Sequence, residues 1–241
     1  MIKITVLVDN LNGTRSNFVK SYGFAALIEM EKKCILFDTG STAQSLVQNL
    51  SLMGYTPKDL ECLILSHNHD DHTDGLQGIL QKNPSVLVYV HKDWEKMVSF
   101  MGFQVPLKNR NMRSQSGELT EISSNIILTK SHYSSDYGGI YEHACYLRNI
   151  QEGSYILLCG CCHPGLTTFL REREQLGIPI TSPLYIIGGM HGFRFSNSEA
   201  ECLKPIIKKI ILCHCTSHLT AYKRQFEEKV SVGIVGETYT F

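Results

Sequence analysis

One short stretch constrains this chain more than any other. An apolar run, Cys62 to Leu65, stops abruptly at SHNHDDHTDG, residues 66–75. The run reads as a buried strand, and the polar string cannot continue it, so a strand end delivers His67, His69, Asp71 and His72 into a loop. Imidazole nitrogen and carboxylate oxygen are the donors that divalent Zn, Fe or Mn accept. On an extended or turning backbone, side chains two apart point the same way. His67 and His69 are therefore expected to share one ion while Asp71 and His72 face a neighbouring one. A merely histidine-rich surface tract would not be fed directly by an apolar strand or closed by Gly75.

The rest of the chain supplies the setting. With 241 residues, 43% hydrophobic and 19% charged, it is a folded protein, and disordered or collagen-like polymers are excluded. No linker, repeat or block of like charge divides it, so one domain over 1–241 is expected. Lys plus Arg (23) balances Asp plus Glu (23), which leaves no general basic field for nucleic acid. The opening MIKITVLVDN is neither a signal peptide nor a membrane span. No apolar run approaches the roughly 20 residues a bilayer requires. A soluble, cytoplasmic chain with no membrane partner is expected. Nine cysteines, five of them at 159, 161, 162, 213 and 215, suggest reduced thiols, some near metal, rather than a disulfide framework.

Strand signals occur at Ile2–Val8, Gly23–Glu29, Lys33–Phe37, Cys62–Leu65 and Ser85–His91 in the first half. Those of the second half are His143–Asn149, Ser154–Cys159, Leu184–Ile187, Ile210–Cys213, Val230–Val235 and Thr238–Phe241. Helical patterns lie between them: from a Ser41 cap to about Met53, Gly75–Gln81, Asp93–Phe100, Pro164 to about Gln175, around Ser198–Ile206, and Leu219–Glu228. Region 101–124 carries the weakest pattern.

LSHNHDDHTDGL resembles the signature loop of the metallo-β-lactamase superfamily, and LFDTG at 36–40 resembles its strand-ending motif. The resemblance implies an α/β (α+β) fold, a four-layer αββα sandwich holding a pair of metals at its edge. LVDN at 7–10, LLCGCCHPG at 157–165, IIGGMH at 186–191 and LCHCTS at 212–217 resemble one branch of that superfamily. It is the group of 7,8-dihydropterin-6-yl-methyl-4-(β-D-ribofuranosyl)aminobenzene 5′-phosphate synthase-like proteins. By this resemblance His163 and His214 complete the metal ligands His67, His69, Asp71 and His72, although His163 beside Pro164 also suits helix capping. Cys161 falls where relatives place a bridging Asp, and it either meets metal or packs as a small hydrophobe. His132 and His143 lie where many relatives carry a histidine but lack the usual surrounding motif. Asp38 and Asp9 end strands that point towards the same edge, and each is expected either to hydrogen-bond ligand histidines or only to cap the turn that follows it. His191, after Gly188 and Gly189, is expected to touch substrate or to support the ligands from behind, with metal ligation as the alternative, the glycines letting substrate or another loop come close. His91 and His218 are expected to be structural or solvent-exposed.

Three functions compete. The first is a metal-dependent hydrolase acting on a small, phosphorylated molecule, with two ions about 3.5–4 Å apart activating water. Zinc comes first as cofactor, with iron or manganese accepted; Asp71 orients the nucleophile and His191 meets developing charge. The second, implied by the branch, is a transferase condensing a dihydropterin pyrophosphate with an aminobenzene ribofuranosyl phosphate. The third is a redox or binding metalloprotein built on the clustered cysteines.

Overall fold

The computed structural model describes residues 1–112 and 120–241. The first half forms β1 (Ile2–Val8), β2 (Ala25–Met30), β3 (Lys33–Phe37), β4 (Cys62–Ile64), β5 (Leu87–Tyr89) and β6 (Arg110–Asn111). Helices α1 (Ala43–Leu52), α2 (Asp70–Thr73) and α3 (Leu76–Lys82) lie among these strands. There follow β7 (Thr120–Ser123), β8 (Ile126–Leu128), a hairpin of β9 (His132–Ser134) and β10 (Ile140–Glu142), then β11 (Cys145–Asn149) and β12 (Ser154–Cys159). The chain closes with α4 (Leu166–Glu172), β13 (Leu184–Gly188), α5 (Asn197–Leu203), β14 (Ile207–Leu212), α6 (Leu219–Phe226), β15 (Val230–Val232) and β16 (Thr238–Thr240).

Two seven-stranded sheets result, ordered β16-β1-β2-β3-β4-β5-β6 and β15-β14-β13-β12-β11-β8-β7. Their facing side chains, among them Ile4, Ala26, Ile28, Phe37 and Ile64 from one and Leu128, Leu147, Ile156, Leu158 and Ile187 from the other, form a shared core. Leu46, Leu50, Leu76 and Ile79 of α1 and α3 pack on the outer face of the first sheet. Leu166, Phe169, Ala200, Tyr222 and Phe226 of α4, α5 and α6 do the same on the second. The layers are therefore α, β, β, α. Covered on both faces, the central strands read as near-continuous apolar runs, and β12 is buried at every residue. The pairs β3–β4, β4–β5, β12–β13 and β13–β14 are parallel, so the ends of these strands gather along one edge of the sandwich. Among the described residues no helix is long and apolar enough to cross a membrane.

Three expectations differ from the structure. Asp93–Phe100 is not a helix: it is a run of turns, with the Trp94 and Lys96 amides donating to the His91 and Asp93 carbonyls. The Asp93 carboxylate pairs with Lys96 and accepts from Ser131, so side-chain bonds outbid a helical ladder. The cap of α1 sits at Thr42, while the Ser41 hydroxyl donates to the Tyr22 carbonyl. The metal loop also holds a helical turn, α2, where only an extended or turning backbone was expected. Of region 101–124, residues 113–119 lie outside the described residues.

Candidate metal centre

His67 and His69 leave β4 on extended backbone, and His163 arrives from the end of β12. Their rings converge, with centroids 4.8 Å apart for His67–His69, 5.0 Å for His67–His163 and 5.1 Å for His69–His163. The Nε2 atoms of all three are buried and have no hydrogen-bond partner. One orphaned buried nitrogen costs free energy, and three facing one another form a cage suited to a cation. Burial first, and repulsion from neighbouring imidazoles second, pushes His67 well below its ordinary pKa, His69 to about 4 and His163 to about 3. All three are neutral near pH 7, with Nε2 lone pairs available. Nδ1 of His67 donates to Ser66 Oγ at 2.8 Å, whose own proton goes to Asp38 Oδ2 at 2.7 Å. His163 Nδ1 lies 3.2 Å from Asp136 Oδ2. Such contacts fix the tautomer that leaves Nε2 free.

A second cluster lies beside the first: Asp71, His72 and His214 each offer a donor atom within 4.8 Å of the others. His72 donates Nδ1–H to Asp38 Oδ2 at 2.7 Å, while its Nε2 lies 3.8 Å from Asp71 Oδ1. Nε2 of His214 lies 2.8 Å from Asp71 Oδ2, and its Nδ1 lies 2.5 Å from Asn10 Oδ1. Burial alone would depress His72, but the carboxylates of Asp71 and Asp38 prevail and lift it to about 9. Burial likewise opposes ionisation of Asp71, yet His72 and His214 hold its carboxyl well below the ordinary range. The cluster is thus a seat of negative potential, as a cation site should be. Its carboxylate and imidazole donors, like the three orphaned nitrogens next to it, fit divalent ions.

Asp38 contacts His72 directly and His67 through Ser66, as the sequence suggested. Asp9 takes the other expected role, holding turns. It accepts the backbone amides of His214 at 2.6 Å and Leu11 at 2.7 Å, so it fixes the turn that carries His214 rather than the ring. The glycines before His191 serve a neighbouring loop: a Cβ on Gly188 would lie 2.0 Å from the Cys159 carbonyl, and one on Gly189 would lie 2.6 Å from that of Gly160.

The turn presenting Cys161 and His163 is organised by a residue that no sequence signal exposed. Glu142, fully buried at the end of β10, accepts the amides of Cys161 at 2.9 Å, Cys162 at 3.0 Å and His163 at 2.7 Å. Burial pushes its carboxyl up against the pull of these donors. Glu142→Ala orphans three buried N–H groups at about 1–3 kcal/mol each, so an unfolding free energy lower by at least about 3 kcal/mol is expected in urea titration. A loss under about 1 kcal/mol would contradict the cradle.

Around the clusters lies a cavity of about 300 Å³, lined by Tyr22, Phe100 and Tyr137 besides His191, Cys161 and Cys215. His191 sits at φ 44°, its Nδ1 3.4 Å from Asp136 Oδ2 and its Nε2 3.1 Å from the Tyr137 hydroxyl. Asp136 and Tyr137 belong to the β9–β10 hairpin, which was not read from the sequence. His132 bonds Glu172 at 2.6 Å, and His143 Nε2 donates to the Leu65 carbonyl at 2.8 Å; neither joins the clusters. His91 is buried beside Trp94, and His218 is half-buried just before α6. Cys159, Cys162 and Cys213 point into apolar packing, which leaves Cys161 and Cys215 at the cavity.

The model of the metallo-β-lactamase superfamily matches residues 20–128, the segment that carries β2 to β6 and the histidine loop. Over that segment the chain is similar to the metallo-β-lactamase superfamily. It is 28% identical to a 7,8-dihydropterin-6-methyl-4-(β-D-ribofuranosyl)-aminobenzene-5′-phosphate synthase of Methanocaldococcus jannaschii, across 93% of this chain and 89% of that protein. A crystal structure described as a metal-dependent hydrolase of the β-lactamase superfamily overlays with a TM-score of 0.73 at 19% identity, covering 100% of this chain and 99% of the other. A diphosphatase from the PhnP family overlays at 0.58 with 14% identity, covering 100% and 97%. Metallo-β-lactamase superfamily members are mostly metal-dependent hydrolases, typically bind divalent metals and act on small-molecule substrates. The αββα layers and the histidine-rich strand end of this chain are the superfamily's frame.

Proposed function

We propose that this protein is a metal-dependent hydrolase of a small phosphoester or related molecule, holding two divalent ions, zinc foremost with iron or manganese as alternatives. The observation that carries the reading is the set of three partnerless Nε2 atoms of His67, His69 and His163 beside the Asp71, His72 and His214 cluster. Those six residues would hold the ions. Divalent ions there supply Lewis acidity toward a substrate oxygen and activation of water near neutral pH.

The chain's own groups divide the remaining work. Asp71, half in the cavity and tied to His214, offers a carboxylate oxygen to orient a nucleophile's proton. His191 presents Nε2 to the cavity beside Tyr137, while Asp136 faces its Nδ1, so it is placed to hold a proton for a leaving oxygen. Among the described residues no Lys or Arg lines the cavity, and there a substrate's phosphate charge would rest on the ions and imidazoles. Tyr22, Phe100 and Tyr137 give the rim flat apolar faces.

Metal analysis of untagged protein, followed by a phosphoester panel with and without chelator, tests the reading. Turnover should vanish on chelation and return with zinc. Turnover indifferent to chelation would end it. His191→Ala should keep its metal and lose turnover by about 10- to 1000-fold, the range of lost acid–base or oxyanion assistance. Metal falling together with rate would make His191 a ligand instead.

The similarity to the archaeal synthase favours one second reading, condensation of a dihydropterin pyrophosphate with an aminobenzene ribofuranosyl phosphate. It needs no activated water. Pyrophosphate release that depends on the amine substrate would select it over hydrolysis.

A further inference from the structure

We propose that Cys161 and Cys215 act as a pair of sulfur donors at the second ion position, beside His214, making that position one for a thiophilic divalent cation. The inference rests on the metal reading above. Nine cysteines are present and all are free, yet Cys161 and Cys215 are the ones that line the cavity. Cys161 follows β12 and Cys215 follows β14, two strands separated only by β13. At the end of β13 stands Gly189, where a Cβ would come 2.7 Å from the Cys215 sulfur and 3.3 Å from the Cys161 Cα. The missing side chain is what lets the two sulfurs meet across an intervening strand.

They meet at 3.0 Å, and the Cys161 sulfur also lies 3.1 Å from His72 Nε2. Donor atoms of Cys161, His214 and Cys215 all lie within 4.8 Å of one another, and His214 is shared with the Asp71 and His72 cluster. Five donors thus ring one place. Two thiolates on a tetrahedral ion with metal–sulfur bonds of about 2.3 Å stand about 3.8 Å apart, so the pair needs to open by less than about 1 Å. Simple packing does not account for the arrangement. Cys159, Cys162 and Cys213, one or two positions away, already fill the apolar layers, whereas Cys215 is partly exposed to the cavity. Thiolates favour zinc, cobalt and cadmium over manganese or magnesium, and binding would release their protons.

Cobalt(II) loading of the reduced full-length protein under anaerobic conditions tests the proposal through absorption and metal content, with no assay of turnover. The expected result is a near-ultraviolet sulfur-to-cobalt charge-transfer band. Per bound cobalt it should fall by about half in Cys161→Ser and in Cys215→Ser, and vanish in the double variant. Circular dichroism checks that each variant is folded. Two cobalt ions per chain without the band would overturn the sulfur pair and leave the metal reading standing. A full band in Cys215→Ser would equally overturn it, by reducing the donors to Cys161. Failure of the wild-type chain to bind cobalt would overturn both.

Discussion

Replacing His67 and His69 together by alanine is expected to remove about one metal ion per chain and reduce turnover to background. Each contributes an Nε2 atom that is buried and partnerless, and with both gone only His163 remains in that cage. One imidazole does not hold a divalent ion against water, since stable zinc sites use three or four protein donors. The fold should survive. His67 is tied by Nδ1 to Ser66, and Ser66 keeps its amide and hydroxyl bonds to Asp38 whether or not the imidazole is present. The second cluster retains Asp71, His72 and His214, so one ion should stay. Elemental analysis beside circular dichroism reads the result, and unchanged stoichiometry in a folded variant would remove the pair from the centre.

That variant probes the part of the molecule written most openly in the sequence. The break between Leu65 and Ser66 announced both a strand end and its cargo, because a buried strand cannot run on into Asn, Asp and His. Period-two reasoning also placed His67 beside His69. It did not foresee that Asp70 begins a helical turn, which brings Asp71 and His72 to the second cluster one after the other. Asp93–Phe100 misled because spaced apolar residues such as Trp94 and Met97 imitate a helical face. Trp94 is fully buried, Met97 is 84% exposed, and the backbone turns instead.

The β9–β10 hairpin was illegible for another reason. Its contributions, Asp136, Tyr137 and Glu142, act through partners 19 to 55 residues distant, on His163, His191 and the amides after β12. A buried glutamate whose partners are backbone amides leaves no local pattern, since the amides carry no residue identity. The cysteines divide similarly. Cys213 and Cys215 are two apart and would share a face on a regular strand, but His214 lies at φ 21° and sends Cys213 into the core and Cys215 to the cavity.

Asp71→Asn is expected to lower turnover by at least about 100-fold while the chain stays folded. Asparagine keeps the shape of the side chain, and the Asp71 carbonyl can still accept the Phe24 amide at 3.2 Å. What disappears is the charge facing His72 at 3.8 Å and His214 at 2.8 Å. His72 and His214 hold the Asp71 carboxyl well below its ordinary range in spite of burial, so losing its charge should cost the metal-free chain about 1–3 kcal/mol without unfolding it. An amide oxygen is a poorer ligand for a divalent ion than a carboxylate and cannot take up a nucleophile's proton. Occupancy of the second position should therefore fall together with rate, while His67, His69 and His163 keep the first ion. Urea titration of the metal-free variant, metal content and rate on the same preparation separate the possibilities. Wild-type turnover would take Asp71 out of the mechanism, and a chain that unfolds would make its role structural.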